Sequence, residues 1–242
     1  MKAIEIKNLT KRYRNILAVD RLTLDVECGE LFSLLGVNGA GKTTTIKMLC
    51  CLTKPTVGDA LLLGKSILRD SSDVKSFIAV SPQESAVARA LSVRENLRLM
   101  CGVHGFSTEK SDEKIKELCE LLSLDSVIER RAGKLSGGWQ RRVSIAMALV
   151  SEPKILFLDE PTLGLDVIAR SELWDVIRAL RGKITVILTT HYMEEAEALS
   201  DRVAIMKDGR LLVCDTPAEI KRMADTDSFE NAFINIVKGV AK

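Results

Sequence analysis

The octapeptide GVNGAGKT, Gly36 to Thr43, limits what this 242-residue chain can fold into more than any other stretch. It fits the pattern GxxxxGK[ST], which has a mechanical meaning only where a strand enters it and a helix leaves it. LFSLLG before it is continuously apolar, as a fully buried strand is. TTTIKMLCCL after it has no breaker and carries apolar residues at Ile46, Leu49 and Cys50, so a helix is expected there. In that context Gly36, Gly39 and Gly41 let backbone N–H groups wrap phosphates. Lys42 supplies a positive charge to the outer phosphate oxygens, and Thr43 offers a hydroxyl to Mg²⁺.

The rest of the pattern extends a strand and helix alternation around that loop. AIEIKNL and LTLDVE alternate in period two, KPTVGDALLLG reads as a turn and a strand, and FIAVSPQ as a strand leaving into a loop. Residues 84–150 change character: SVRENLRLMCGV and SDEKIKELCELLSL have helical spacing, with few strand signals between them. From KILFLDEP the alternation resumes, with a strand at 154–159, a helix at 166–181, a strand at 184–190, a helix at 192–200 and a hairpin at 203–214 across Asp208-Gly209. Thr216, Pro217 and Glu219 form a capping box that opens a C-terminal helix. The expected class is α/β with a mostly parallel core sheet.

Within ILFLDE, Asp159 and Glu160 stand at the carboxyl end of a buried strand, where open α/β sheets hold ligands. Asp159 is placed to reach Mg²⁺, and Glu160 to orient or deprotonate a water aimed at the terminal phosphate.

Composition narrows the partners. The formal net charge is only +2, with both signs mixed along the chain, so no electrostatic footprint for nucleic acid stands out. The six cysteines lack a CxxC spacing and fit reduced thiols in a cytosolic setting. The start MKAIEIKNLTKRY has no apolar signal region, and no apolar run approaches the ~20 residues of a membrane-spanning helix.

LSGGWQRR, Leu135 to Arg142, poses a separate question, because one phosphate cradle serves one nucleotide. LSGG runs into the apolar-periodic WQRRVSIAMALV and reads as a helix with Ser136 at its N-cap. Gly137 and Gly138 permit a charged group to approach the backbone closely, at a helix end that favours anions. The simplest account is that this second site serves the nucleotide of another subunit, in a two-fold dimer with two ATP molecules sandwiched at equivalent interfaces.

Taken together, these residues resemble the ATP-binding subunits of ABC transporters over essentially the whole chain. GVNGAGKT is similar to the family's Walker A motif, LSGGWQ to its signature, ILFLDE to Walker B, PTLGLD to the D-loop and TTHYMEEAE to the His switch. The resemblance implies a P-loop NTPase fold with an N-terminal antiparallel β subdomain and a helical signature subdomain. Residues 1–83 and 151–220 would form the RecA-like core with that β subdomain, 84–150 the helical part and 221–242 a C-terminal helical tail.

It further implies that ATP and Mg²⁺ are bound by Tyr13, stacking on adenine, by Gly36, Val37, Asn38, Gly39, Ala40, Gly41, Lys42, Thr43 and Thr44, and by Gln83. Ser136, Gly137, Gly138 and Asp166 are the family's contacts to the partner's nucleotide. Thr43, Gln83 and Asp159 are the implied metal residues, and Glu160 and His191 the implied catalytic pair. A separately encoded membrane permease would dock on residues 83–96 and the helical part, a second copy would complete the dimer, and the chain would sit at the cytoplasmic face of the membrane. The ending DRVAIMKDGRLLVCDTPAEI and the later SFENAFINIV resemble the drug, antibiotic and lipid export subgroup. Three positions depart from the common pattern: Val37, Trp139 and Val167. The alternative is a soluble ABC-type ATPase of translation or DNA repair, but this chain has one phosphate loop and no heptads. A regulatory module without turnover is opposed by Glu160 and His191.

Overall fold

The computed structural model describes residues 1–84 and 86–239. Residue 85 of the expected docking loop and residues 240–242 of the expected tail lie outside the described residues.

Two sheets form the frame. The first holds β1 (Lys2–Tyr13), β2 (Ile16–Glu27), β4 (Val57–Leu62) and β5 (Lys65–Ser66) in the antiparallel order β2-β1-β4-β5. The second contains β3 (Leu31–Leu35), β6 (Ile78–Ser81), β7 (Ile155–Asp159), β8 (Thr185–Thr190), β9 (Arg202–Lys207) and β10 (Arg210–Asp215), ordered β10-β9-β3-β8-β7-β6. All its pairings are parallel except β9 with β10, the hairpin expected at Asp208-Gly209. The fold is therefore α/β with a mostly parallel core sheet beside an antiparallel one.

Period two explains how the parallel sheet serves two cores at once. Ile155, Phe157 and Ile187 face the antiparallel sheet and pack with Ile4, Leu9, Val26 and Leu62, enclosing Ile46 and Leu49 of α1 (Lys42–Leu49). Their neighbours Leu156, Leu158, Val186 and Leu188 face the opposite way. There they meet α3 (Val93–Val103), α4 (Thr108–Leu122), α5 (Gly137–Leu149) and α6 (Val167–Arg178) in one cluster. A third cluster joins Leu35, Val203 and Ile205 to α7 (Met193–Leu199), α8 (Pro217–Met223) and α9 (Phe229–Lys238). The expected helical stretch 84–150 holds α3, α4 and α5, and its apolar faces share the second cluster with β7 and β8.

Several local expectations need correction. A helix, α2 (Ser71–Phe77), and the short β5 were not anticipated; α2 is polar and buries only Val74, so it carries no visible period. α4 starts at Thr108, ahead of the expected Ser111, because Ser107 caps it by accepting from Lys110 N at 3.3 Å. The capping box at α8 is half formed: Thr216 Oγ1 accepts from Glu219 N at 3.2 Å, whereas the Glu219 carboxylate turns to Arg222. A complete box stands at α3 instead, where Ser92 Oγ accepts from Glu95 N at 3.1 Å and Glu95 Oε2 accepts from Ser92 N at 2.7 Å.

Candidate nucleotide site

β3 delivers the glycine loop to the N-terminus of α1, and the packing there decides which residues are allowed. Gly41 has φ 101, and a Cβ on it would lie 2.5 Å from the Ala18 carbonyl oxygen of β2. At Gly36 a Cβ would lie 2.4 Å from the Met206 carbonyl of β9. The β9–β10 turn braces the loop from outside, since Gly209 N donates to Ala40 O at 3.1 Å.

Lys42 is only 5% exposed. Its Nζ donates to the carbonyls of Gly36 at 2.7 Å and Val37 at 3.3 Å and lies 3.9 Å from Glu160 Oε1. Burial holds this ammonium below the usual lysine range, partly offset by the Glu160 and Asp159 carboxylates. The lysine is thus folded over its own loop, its ammonium beside an acidic strand end.

That strand end is organised by Thr189 on the neighbouring strand. The Thr189 hydroxyl donates to Asp159 Oδ1 and accepts from Glu160 N at 3.1 Å. Thr43 Oγ1 donates to the same Asp159 oxygen at 3.4 Å. Glu160 leaves the sheet with φ 47, a left-handed conformation that few glutamates adopt and that costs backbone energy. Its carboxylate oxygen Oε1 lies 3.3 Å from His191 Nδ1, just beyond the end of β8.

Asn38, Gly39, Ala40, Gly41, Lys42, Thr43, Thr44, Gln83, Glu160 and His191 line one cleft of about 820 Å³. The sequence reading missed five further lining residues: Ile16, Leu17, Ala18, Leu163 and Asp208. Ile16 to Ala18 start β2 and carry no motif, whereas Asp208 was visible only as a hairpin turn. Gly36 and Val37 enter through their carbonyls, which hold Lys42. Tyr13 ends β1, is 43% exposed and has Lys11 Nζ 4.9 Å from its ring centroid, outside the lining residues.

The remaining expected contacts lie elsewhere. Ser136 is the N-cap of α5, but its hydroxyl makes no capping bond. Ser136 and Gly137 are exposed, while Gly138 packs so closely on α6 that a Cβ would lie 3.0 Å from Ala169 Cβ. Asp166 caps α6 by accepting from Ala169 N at 2.9 Å. The signature glycines and the D-loop therefore adjoin each other, and none of Ser136, Gly137, Gly138 and Asp166 lines the cleft that holds Lys42.

The chain is similar to known proteins along nearly its whole length. It is 38% identical over 240 residues to the "Probable multidrug ABC transporter ATP-binding protein YbhF" of Escherichia coli K12, covering 97% of this chain and 41% of that relative. It thus spans less than half of that relative's length. It is 40% identical over 221 residues to the "Daunorubicin/doxorubicin resistance ATP-binding protein DrrA" of Streptomyces peucetius, covering 91% and 67% of the two chains. Among solved structures it superposes with a TM-score of 0.77 and 26% identity on the ATP-binding cassette MJ0796, described as a dimeric post-hydrolysis state bound to ADP and Pi; the match covers 88% of this chain and 98% of that one. The ABC transporter family model matches residues 19–163, and with these relatives it establishes that the chain belongs to the ABC transporter family, among its ATP-binding proteins.

Proposed function

We propose that this chain binds and hydrolyses ATP with Mg²⁺ and so energises a separately encoded membrane permease that exports drugs, lipids or similar compounds. The observation that carries the reading is the meeting of Lys42, Thr43, Glu160 and His191 at one cleft, brought from three strand ends of one sheet, with Asp159 hydrogen-bonded to Thr43 beside it. Relatives named for multidrug transport and for daunorubicin and doxorubicin resistance support the export class.

In this reading the loop N–H groups and Lys42 hold the phosphates, the ammonium exchanging the Gly36 and Val37 carbonyls for phosphate oxygens. The Thr43 hydroxyl and the Asp159 carboxylate are hard oxygen donors that already adjoin each other, the chemistry Mg²⁺ takes beside substrate phosphates; the Gln83 amide lies at the same cleft. Bound there, the ion would neutralise phosphate charge. Glu160 positions the attacking water and accepts its proton, and His191, adjacent to it, contacts the terminal phosphate. Tyr13 would stack on adenine from the rim. Ser136, Gly137, Gly138 and Asp166 face a second copy, whose nucleotide they complete.

Among the described residues no helix is long and apolar enough to cross a membrane, so attachment to the cytoplasmic face would run through the permease. Co-expression with any polytopic membrane protein encoded beside this chain tests the proposal. The two should co-purify from detergent and turn over ATP in a manner abolished by chelating Mg²⁺. Co-fractionation with ribosomes and no membrane partner would favour the soluble alternative.

A further inference from the structure

Arg141 lies one turn into α5, five residues beyond Ser136, and is only 5% exposed. Among the described residues no carboxylate comes within ion-pair distance of its guanidinium, and Asp159 and Glu195 act on it only at longer range. It is satisfied by main chain instead: Nη1 donates to Pro82 O at 2.5 Å, and Nη2 donates to Gln83 O. One turn further along the helix, the Ser144 hydroxyl meets the Ser81 hydroxyl at 3.0 Å. The end of β6 and the loop leaving it are therefore fastened to α5 at three successive residues, Ser81, Pro82 and Gln83. A buried cation held by two carbonyls is costly to desolvate, and its fork suits two fixed acceptors in a way that lysine cannot reproduce. The residues it fastens, Pro82 and Gln83, are themselves exposed, so general packing does not explain the arrangement.

We propose that Arg141 is a positioning residue which ties Gln83, at the chain's own nucleotide cleft, to the signature helix that serves the nucleotide of a second copy. This rests on the function proposed above, in which Gln83 and Ser136 belong to two different composite sites. A displacement of Gln83 on nucleotide binding is passed through the guanidinium to α5, so the occupancy of one site sets the aim of the helix end at the other. The coupling runs through one identifiable side chain, which makes it open to a direct test.

The first test is a double-mutant cycle on ATP turnover, with folding checked by thermal melting. Arg141→Met should lower turnover about tenfold in the wild-type background, and less than about twofold once Gln83→Ala is present, because the route it serves is already cut. Arg141→Lys, which keeps the charge but loses the fork, should fall between wild type and Arg141→Met. An equal loss from Arg141→Met in both backgrounds overturns the proposal, since a merely structural arginine costs the same with or without Gln83. The second test avoids turnover. At a dilution where light scattering shows a monomer, a non-hydrolysable ATP analogue should alter amide hydrogen exchange across residues 135–142 in the wild type. Arg141→Met should bind the analogue within about threefold and show no such change. A wild-type helix indifferent to the analogue, or a variant that responds equally, also overturns it. Failure of the wild type to bind the analogue would instead defeat the proposed nucleotide site.

Discussion

Glu160 Oε1 and His191 Nδ1 lie 3.3 Å apart, although 31 positions separate them in the chain and they leave the sheet from different strands. Glu160→Gln keeps the shape and the left-handed backbone at φ 47, so it changes the charge and basicity without adding strain. Loss of a positioned general base costs about 10² to 10⁴ in rate. ATP turnover should fall within that range while ATP affinity stays within about threefold, and an ATP-dependent dimer should become easier to isolate. Near-wild-type turnover with the permease present would remove Glu160 from the water-handling role.

Lys42 answers to a different measurement. Its ammonium is the one placed to move from the Gly36 and Val37 carbonyls to phosphate oxygens, and hydrogen bonds to charged groups contribute about 1.5–3 kcal/mol. Lys42→Ala should therefore weaken ATP binding by roughly 10- to 100-fold. Isothermal titration with equal affinity for the two chains would refute the assignment.

Glu195 gives a stability prediction with a definite sign. It is fully buried on α7, and its Oε1 accepts from Trp174 Nε1 at 3.2 Å. Burial pushes its carboxyl above the ordinary range, partly offset by the nearby Thr190 and Thr162 hydroxyls and the Trp174 hydrogen bond, which favour the charged form. A raised folded pKa means the folded state prefers the protonated acid. That preference contributes fully below the ordinary carboxylate value and is lost as pH rises from there toward the folded value. Glu195→Gln mimics the protonated acid and cannot ionise. Its Tm should match the wild type below the ordinary carboxylate value and exceed it as pH rises above that value, at about 2–4 °C per kcal/mol for a chain of this size. A wild-type advantage that grows with pH would show that Glu195 is held as a carboxylate.

What could be read in advance follows from how far each partner lies along the chain. GVNGAGKT and ILFLDE are local patterns, because phosphate and carboxylate chemistry needs adjacent residues at the end of a strand, and Asn38 to Thr43 and Glu160 line the cleft. Thr189, which orients both Asp159 and Glu160, is 30 positions from Asp159 and looked like an ordinary strand residue. Arg141 lies within LSGGWQRR, yet its partners lie 58 and 59 residues upstream, and no spacing rule points to them. The box at Thr216 is only half formed because Glu219 has a competing cation, Arg222, one turn ahead. Helix α2 escaped because seven residues with one buried side chain give no period to detect.

The exposed signature glycines supply the last prediction, because the chain itself leaves room there. A Cβ on Gly137 would meet only Leu165 Cδ2 at 3.4 Å, an ordinary contact, so a side chain at this position should leave the fold intact. Any loss of activity from Gly137→Asp then reports on something that approaches from outside, where a carboxylate would repel a phosphate at the helix end. If that something is the nucleotide held by Lys42 of a second copy, mutants can complement. A dimer of one Gly137→Asp chain and one Lys42→Ala chain has one composite site with both defects and one with neither. With the permease present it should exceed the activity of either pure mutant, reaching at most about half of wild type, or less if the two sites are coupled. Both changes in one chain, paired with wild type, leave each site with one defect, and activity should stay near zero. Equal activity in the two arrangements, with mixed assembly verified, would mean that LSGGWQRR does not serve a partner's nucleotide.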